Sequence, residues 1–236
     1  MGELDGRVIA IAGVGGGLGP SVARRLADGG ATLALTDRNA DRMAEVGEEL
    51  GLPKDRLDLQ VVDLLDPEAA RGWCSALMER FGRVDGLLHL VGGWRGGEPL
   101  ASFDLADYEW LHDLLVRTLQ HATRAFHDAL AASGRGRFAL VSSAQAQDPE
   151  GTNAAYAAAK GAAESWTLAL ADSLAGTGAT ANIVVVNAIL TPAMRAAHPR
   201  TENPGFTPAE AIAEALAFLC SDAAARMNGQ RLSLHP

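Results

Sequence analysis

Hydrophobic residues fall along this chain in short unbroken runs separated by longer amphipathic stretches. The runs are RVIAIAG (7–13), ATLALTD (31–37), RLDLQVVD (56–63), VDGLLHLVGG (84–93), RFALVSS (137–143), TANIVVVNAI (180–189) and GQRLSLH (229–235). Continuous rather than alternating apolar character predicts strands covered on both faces, as in a parallel sheet. The intervening stretches read as helices with marked ends. DPEAARGWCSALMERFG (66–82) opens on Asp66 as N-cap with Pro67 in the first turn and closes on Gly82. FTPAEAIAEALAFLCSD (206–222) is expected to start in the same way around Thr207 and Pro208. Repeated β-α-β units predict an α/β fold: a three-layer, doubly wound parallel sheet of about seven strands with helices on both faces. No linker, repeat or low-complexity segment interrupts the pattern, so residues 1–236 are expected to form one domain.

Composition narrows the partners. A chain of 236 residues that is 48% hydrophobic can bury one large core, and 21% charged residues argue against wholesale disorder. A formal net charge of −9 without any basic run makes nucleic acid and anionic membrane poor partners. No apolar run approaches the roughly 18 residues of a spanning helix, and the first residues lack the basic-then-apolar pattern of a secretory signal. The expected compartment is the cytoplasm. Cys74 and Cys220 lie in amphipathic stretches and read as small core residues rather than a disulfide or metal pair. The six histidines lack ligand spacing, so no metal site is expected; His112, His121 and His127 read as polar surface on one long helix.

The first run passes into AGVGGGLGPSVARRLADGG, in which Gly13, Gly17 and Gly19 are spaced G-x-x-x-G-x-G between strand and helix. Glycines there let the backbone approach a pyrophosphate, and the helix N-terminus supplies free N–H groups. The expected cofactor contacts are Gly13, Gly15, Gly16, Gly17, Leu18 and Gly19, with Leu64 after the third run and Val91, Gly92 and Gly93 at the end of the fourth. Asp37 ends the second run, eighteen residues beyond Gly19. A carboxylate there accepts hydrogen bonds from ribose hydroxyls and repels a 2′-phosphate, whereas neighbouring Arg38 attracts one. NAD(H) is therefore the preferred cofactor, with NADP(H) possible. Asp63 is placed either to reach the adenine or to cap the following turn.

In TNAAYAAAKGAAESWTLALADSLAG (152–176), Tyr156 and Lys160 are four apart and share one helix face. A lysine ammonium beside a tyrosine stabilises the phenolate and lowers a pKa of about 10. Ser143 ends the fifth run, at the carboxyl edge of the sheet where ligands of open α/β folds bind. Each residue alone has an ordinary reading as core aromatic, surface charge or turn former; together with the glycine turn they point to one site.

With AGVGGGLG, Asp63, AYAAAK, the upstream Ser143 and the closing FLCSDAAARMNGQRLSL, the chain resembles the short-chain dehydrogenase/reductase family over essentially its whole length. The resemblance implies a Rossmann-type sheet and hydride transfer between a nicotinamide and a carbonyl, imine or similar group. It implies Tyr156 as general acid, Lys160 as the group that tunes Tyr156 and holds the nicotinamide ribose, and Ser143 as the residue that orients the substrate oxygen. It also implies pairing into a homodimer or homotetramer. Three departures stand out. HLVG (89–92) replaces the family's N-N-A-G, and Arg117 stands where an asparagine serves a proton relay. The loop before Thr191, the candidate contact to the nicotinamide carboxamide, is shortened.

These departures are similar to those of the dihydropteridine reductase branch, which also carries a G-G-W-x-G-G segment, matched here by GGWRGG (92–97). That branch commonly lacks the active-site serine, whereas Ser143 is present. On this reading the glycines let the chain turn under a ligand while Trp94 offers a flat face for stacking and Arg95 pairs with a substrate oxygen. The alternative has Trp94 folded onto the core and Arg95 facing solvent. The polar, proline-bearing stretch 195–206 reads as a lid or a plain surface loop. Three functions follow: an NAD(H)-dependent reductase or dehydrogenase of a small carbonyl or alcohol, a reductase of a quinonoid heterocycle, and a dinucleotide-binding regulator without turnover.

Overall fold

The computed structural model describes residues 2–198 and 204–235. The strands are β1 (Val8–Ala12), β2 (Thr32–Asp37), β3 (Leu57–Val61), β4 (Gly86–His89), β5 (Arg137–Ser143), β6 (Thr180–Val186), β7 (Ala188–Leu190), β8 (Phe206–Pro208) and β9 (Arg231–Ser233). The helices are α1 (Gly19–Asp28), α2 (Ala40–Leu50), α3 (Pro67–Phe81), α4 (Leu105–His112), α5 (Thr118–Ala132), α6 (Ala154–Ser173), α7 (Pro192–Ala197) and α8 (Ala209–Cys220). Seven strands form one parallel sheet in the order β3-β2-β1-β4-β5-β6-β9. The expected three-layer arrangement is present. Residues of α1, α2 and α8 pack on one face, and residues of α3, α5 and α6 on the other.

The order reverses between β1 and β4: the chain leaves β1 toward β2 and β3, then returns to β1's other side. Loops after these two strands diverge, and a crevice opens at the carboxyl edge. β1 and β4 through β6 are buried along their whole length, which is why they read as unbroken apolar runs.

Several boundaries differ from the sequence expectation. The fourth strand stops at His89, and 90–97 runs on as loop, tied at its ends where the Leu90 N–H donates to the Ala12 carbonyl and the Gly97 N–H to the Thr152 carbonyl, each at 2.8 Å. The sixth run divides at Asn187: β6 stays in the sheet, while β7 turns away to pair with β8. Thr207 does not cap α8; its hydroxyl donates to the Leu234 carbonyl at 2.9 Å, and α8 begins after Pro208. At α3 the expected signals operate: Asp66 accepts from the Glu68 N–H at 2.9 Å, and Gly82 ends the helix at φ +72°.

α4 and α5 form one continuous rod joined by a single π-turn, Asp113–Arg117. The extra residue of a π-turn rotates everything after it, and such turns cluster at functional sites. His121 on this rod is half-buried rather than surface, its Nδ1 paired with the Leu64 carbonyl at 2.9 Å. Both cysteines are buried and unpaired, and burial pushes their thiols up to about 11 at Cys74 and about 12 at Cys220. No helix among the described residues is long and apolar enough to cross a membrane.

Candidate active site

The loop between β1 and α1 is shaped by glycines with different tasks. Gly13 has φ +84°, and a Cβ there would stand 2.7 Å from the Val91 nitrogen, so the first loop and the loop after β4 touch backbone to backbone. At Gly19 a Cβ would overlap the Val14 carbonyl, which ties the glycine to the close approach of α1 and the strand end. A Cβ on Gly17 would press the Thr191 methyl at 2.8 Å. Gly16 differs: a Cβ there meets nothing nearer than the Gly13 oxygen at 3.4 Å, because its open side faces the crevice. Leu18 is buried as the residue before α1.

The crevice has two hollows that share Gly13, Gly16 and Leu90 through Gly92. The first, about 460 Å³, lies over β2 and β3 and is lined by Asp37, Arg38, Asp63 and Leu64. Asp37 accepts from the Gly15 N–H at 2.8 Å with one oxygen and from the Asn39 N–H at 2.9 Å with the other. The carboxylate thus braces the glycine loop while remaining part of the wall. Asp63 accepts from the Leu65 N–H at 3.0 Å, so it caps the turn and also borders the hollow. Arg42, which sequence reasoning did not single out, joins Arg38 on this wall and pairs with Glu45. Its position follows from the first turn of α2, whose N-cap Asn39 accepts from the Arg42 N–H at 3.0 Å.

The second hollow, about 670 Å³, is lined by Gly93, Trp94, Ser143, Tyr156 and Lys160. β5 delivers Ser143 and α6 delivers the other pair. Ser143 and Tyr156 face the same hollow, and Lys160 Nζ lies 5.8 Å from the centre of the Tyr156 ring. Nζ donates to the Val141 carbonyl at 2.9 Å. Burial lowers the Lys160 ammonium to about 8, with the neighbouring Glu164 charge working in the opposite direction. At Tyr156 burial raises the phenol above its ordinary value, and the neighbouring Ser143 hydroxyl only partly offsets this. This corrects the expectation of a lowered Tyr156: desolvation of the phenolate outweighs the favourable contacts it has here.

The glycine-rich loop after β4 makes room for the protein's own side chains rather than for a ligand alone. A Cβ on Gly93 would strike Leu114 and the Trp110 ring at 2.7 and 2.8 Å, and one on Gly96 would stand 3.1 Å from the Trp94 ring. Trp94 is not folded into the core. It is 59% exposed, borders the hollow and anchors its indole N–H on Asn153 Oδ1 at 3.1 Å. Asn153 carries no sequence signal for this role, since it depends on two loops meeting. Arg95 departs from the substrate-pairing expectation: its guanidinium is engaged by Asp107 and lies over the Trp110 ring, 4.1 Å from the centroid.

Thr191 caps α7, accepting from the Met194 N–H at 3.2 Å, and stands beside Gly17 rather than in the wall with Tyr156. Arg117 points to solvent and pairs with Asp113 at 3.2 Å, so it does not take the inward place of an asparagine. The inward residue is its neighbour Thr118, which lies against the buried His89. Of the expected lid, 199–203 lie outside the described residues, and Arg195 is held by Glu210 at 3.0 Å.

The loop with its open Gly16, the N-terminus of α1 and the carboxylate at the end of β2 fit a dinucleotide laid across the switch point. The fold and site therefore define a dinucleotide-binding α/β protein with serine, tyrosine and lysine at the carboxyl edge of its sheet. A family profile described as enoyl-(acyl carrier protein) reductase matches residues 13–234. Sulfoacetaldehyde reductase 2 of Chromohalobacter salexigens is 32% identical over 72% of this chain and 68% of its own. The 7alpha-hydroxysteroid dehydrogenase of Escherichia coli K12 is 27% identical over 98% and 94%. Among solved structures, a gluconate 5-dehydrogenase from Burkholderia cenocepacia in complex with NADP and tartrate superposes with a TM-score of 0.85 at 27% identity, covering 98% of this chain and 94% of that one. The chain belongs to the short-chain dehydrogenase/reductase family and is an oxidoreductase of that family, whose members bind nicotinamide dinucleotides.

Proposed function

We propose that the protein transfers hydride between NAD(H) and a small carbonyl or alcohol. The observation that carries this reading is the meeting of Ser143, Tyr156 and Lys160 in one hollow that opens onto the glycine loop. The bound nicotinamide supplies or accepts the hydride. Ser143 orients the substrate oxygen, and Tyr156 gives that oxygen its phenolic proton in reduction and recovers it in oxidation. Burial keeps Tyr156 protonated at neutral pH, the form reduction needs. The ammonium of Lys160 offsets the negative charge that develops on the phenol. The relatives' names, a sulfoacetaldehyde reductase and a hydroxysteroid dehydrogenase, agree with carbonyl and alcohol chemistry.

Asp37 favours NAD(H), because its charge stands at the wall where a 2′-phosphate would lie; Arg38 and Arg42 keep NADP(H) as the alternative. The working form is a homodimer or homotetramer, which size-exclusion chromatography tests. A second reading, reduction of a quinonoid dihydropterin, rests on the exposed Trp94 face at the hollow. NADH consumption against that compound and a panel of small ketones separates the two. Tyr156→Phe is expected to lower turnover by about 10²- to 10⁴-fold with NADH affinity retained. Unchanged turnover would refute the role of Tyr156, and NADH binding without turnover on any substrate would leave a dinucleotide-binding regulator.

A further inference from the structure

Beneath the Tyr156–Lys160 pair lies a histidine that the proposed reaction does not use. His89 ends β4, in register with Ala12 of β1 and Leu140 of β5, and is 1% exposed. Leu140 immediately precedes Val141, whose carbonyl holds Lys160 Nζ, so imidazole and ammonium occupy neighbouring points under the hollow.

The hydrogen bonds assign the tautomer. Thr118 Oγ1 donates its only proton to the Leu114 carbonyl at 2.6 Å. Toward His89 Nε2, 3.2 Å away, it can only accept, so Nε2 carries the proton. The bare lone pair is then on Nδ1, which is buried and has no hydrogen-bond partner among the described residues. A buried acceptor without a partner is unfavourable, and the charge that acts on this imidazole is the Lys160 ammonium, which has protons beyond the one given to Val141. Burial and the Lys160 charge hold the imidazole down to about 3, so His89 accepts hydrogen bonds and does not store protons.

We propose that His89, fixed by Thr118, is the positioning residue for Lys160: its Nδ1 accepts a hydrogen bond relayed from the ammonium through one buried water. Together they do from β4 and the first turn of α5 what Arg117, turned to solvent on the π-turn, does not do. The acceptor favours the charged lysine against its burial and so keeps a positive charge available under Tyr156. Among the described residues, Tyr156 and Glu164 on its own helix also face Lys160; Glu164 is in turn held by Arg231 Nε at 2.7 Å from β9. The inference builds on the proposed role of Lys160, but its test needs no turnover.

The chain has only two lysines, Lys54 and Lys160, and Lys54 is exposed. Full-length protein labelled with ¹⁵N-lysine therefore gives two Nζ signals, one of them an internal solvent reference. In the wild type Lys160 is expected to titrate at about 8. In His89→Leu it is expected to fall by about one pKa unit, a tenfold change in proton affinity, with Lys54 unmoved. His89→Gln keeps an acceptor and is expected to restore most of the value. Thr118→Val removes the acceptor that fixes the tautomer and is expected to shift Lys160 in the same direction; it carries the test if His89→Leu does not fold. An unmoved Lys160 titration in folded His89→Leu or Thr118→Val overturns the proposal, even if turnover falls. Failure of the wild type to turn over any substrate would instead count against the proposed function, and the titration would still be decisive for His89.

Discussion

Replacing Gly16 by valine separates the groove from the fold. The residue has no positive φ, and a Cβ at this position makes only ordinary contact, 3.4 Å from the Gly13 oxygen. Nothing in the folded chain opposes the added Cβ, and loss of glycine freedom in the unfolded chain contributes about 0.4–1 kcal/mol in its favour. At this size about 1 kcal/mol moves Tm by about 2–4 °C, so the melting temperature should hold or rise slightly. Binding should respond differently, because the added methyls occupy the open side shared by both hollows. Displacing the pyrophosphate from one charge-assisted backbone N–H costs about 1.5–3 kcal/mol, a roughly 10- to 150-fold weaker NADH complex. Gly19→Ala is the control: its methyl overlaps the Val14 carbonyl, and overpacking costs about 1–3 kcal/mol, a Tm loss of about 2–12 °C. Thermal melts and NADH fluorescence titrations on the same samples read both effects. An unchanged NADH dissociation constant in folded Gly16→Val would refute the path assigned to the cofactor. A large fall in Tm would refute the open space at Gly16.

Two other outcomes follow from single residues. Asp37→Ser should weaken NADH about tenfold or more and shift the NADPH-to-NADH affinity ratio toward NADPH, since Arg38 and Arg42 remain on the wall; paired titrations in which the ratio does not move would remove Asp37 as the selector. Lys160, lowered to about 8 by burial, binds fewer protons in the folded than in the unfolded chain between about 8 and its ordinary 10.5. Wild-type stability should therefore rise with pH across that window relative to Lys160→Met, and denaturant midpoints of the two that stay parallel from pH 7 to 11 would contradict the burial of a charged lysine.

The apolar runs announced the central strands β1, β2, β4, β5 and β6 because burial on both faces leaves a sequence record that local composition can carry; the edge strands β3 and β9 are partly exposed and read less sharply. The same holds for α3, whose Asp66, Pro67 and Gly82 act within one turn of where they stand. Tyr156 and Lys160 were legible together because four residues of helix bring them to one face, and Ser143 because strand ends gather at one edge. β7 and β8 were not legible: three-residue strands leave too short a pattern, and Pro208 resembles a helix start as much as a strand end.

What the sequence by itself determined about this protein is the alternation of elements, the glycine turn and the spacing of the reactive side chains, all set by near neighbours. Only the tertiary structure decided which groups those side chains meet. It turned Arg95 onto Asp107 and Trp110, anchored Trp94 on Asn153, and set Thr118 rather than Arg117 against His89. The physical reason is that these contacts join segments 12 to 59 residues apart, through packing and one π-turn that rotates a helix face. The raised phenol of Tyr156 belongs with them, because desolvation depends on what the whole fold places around a residue.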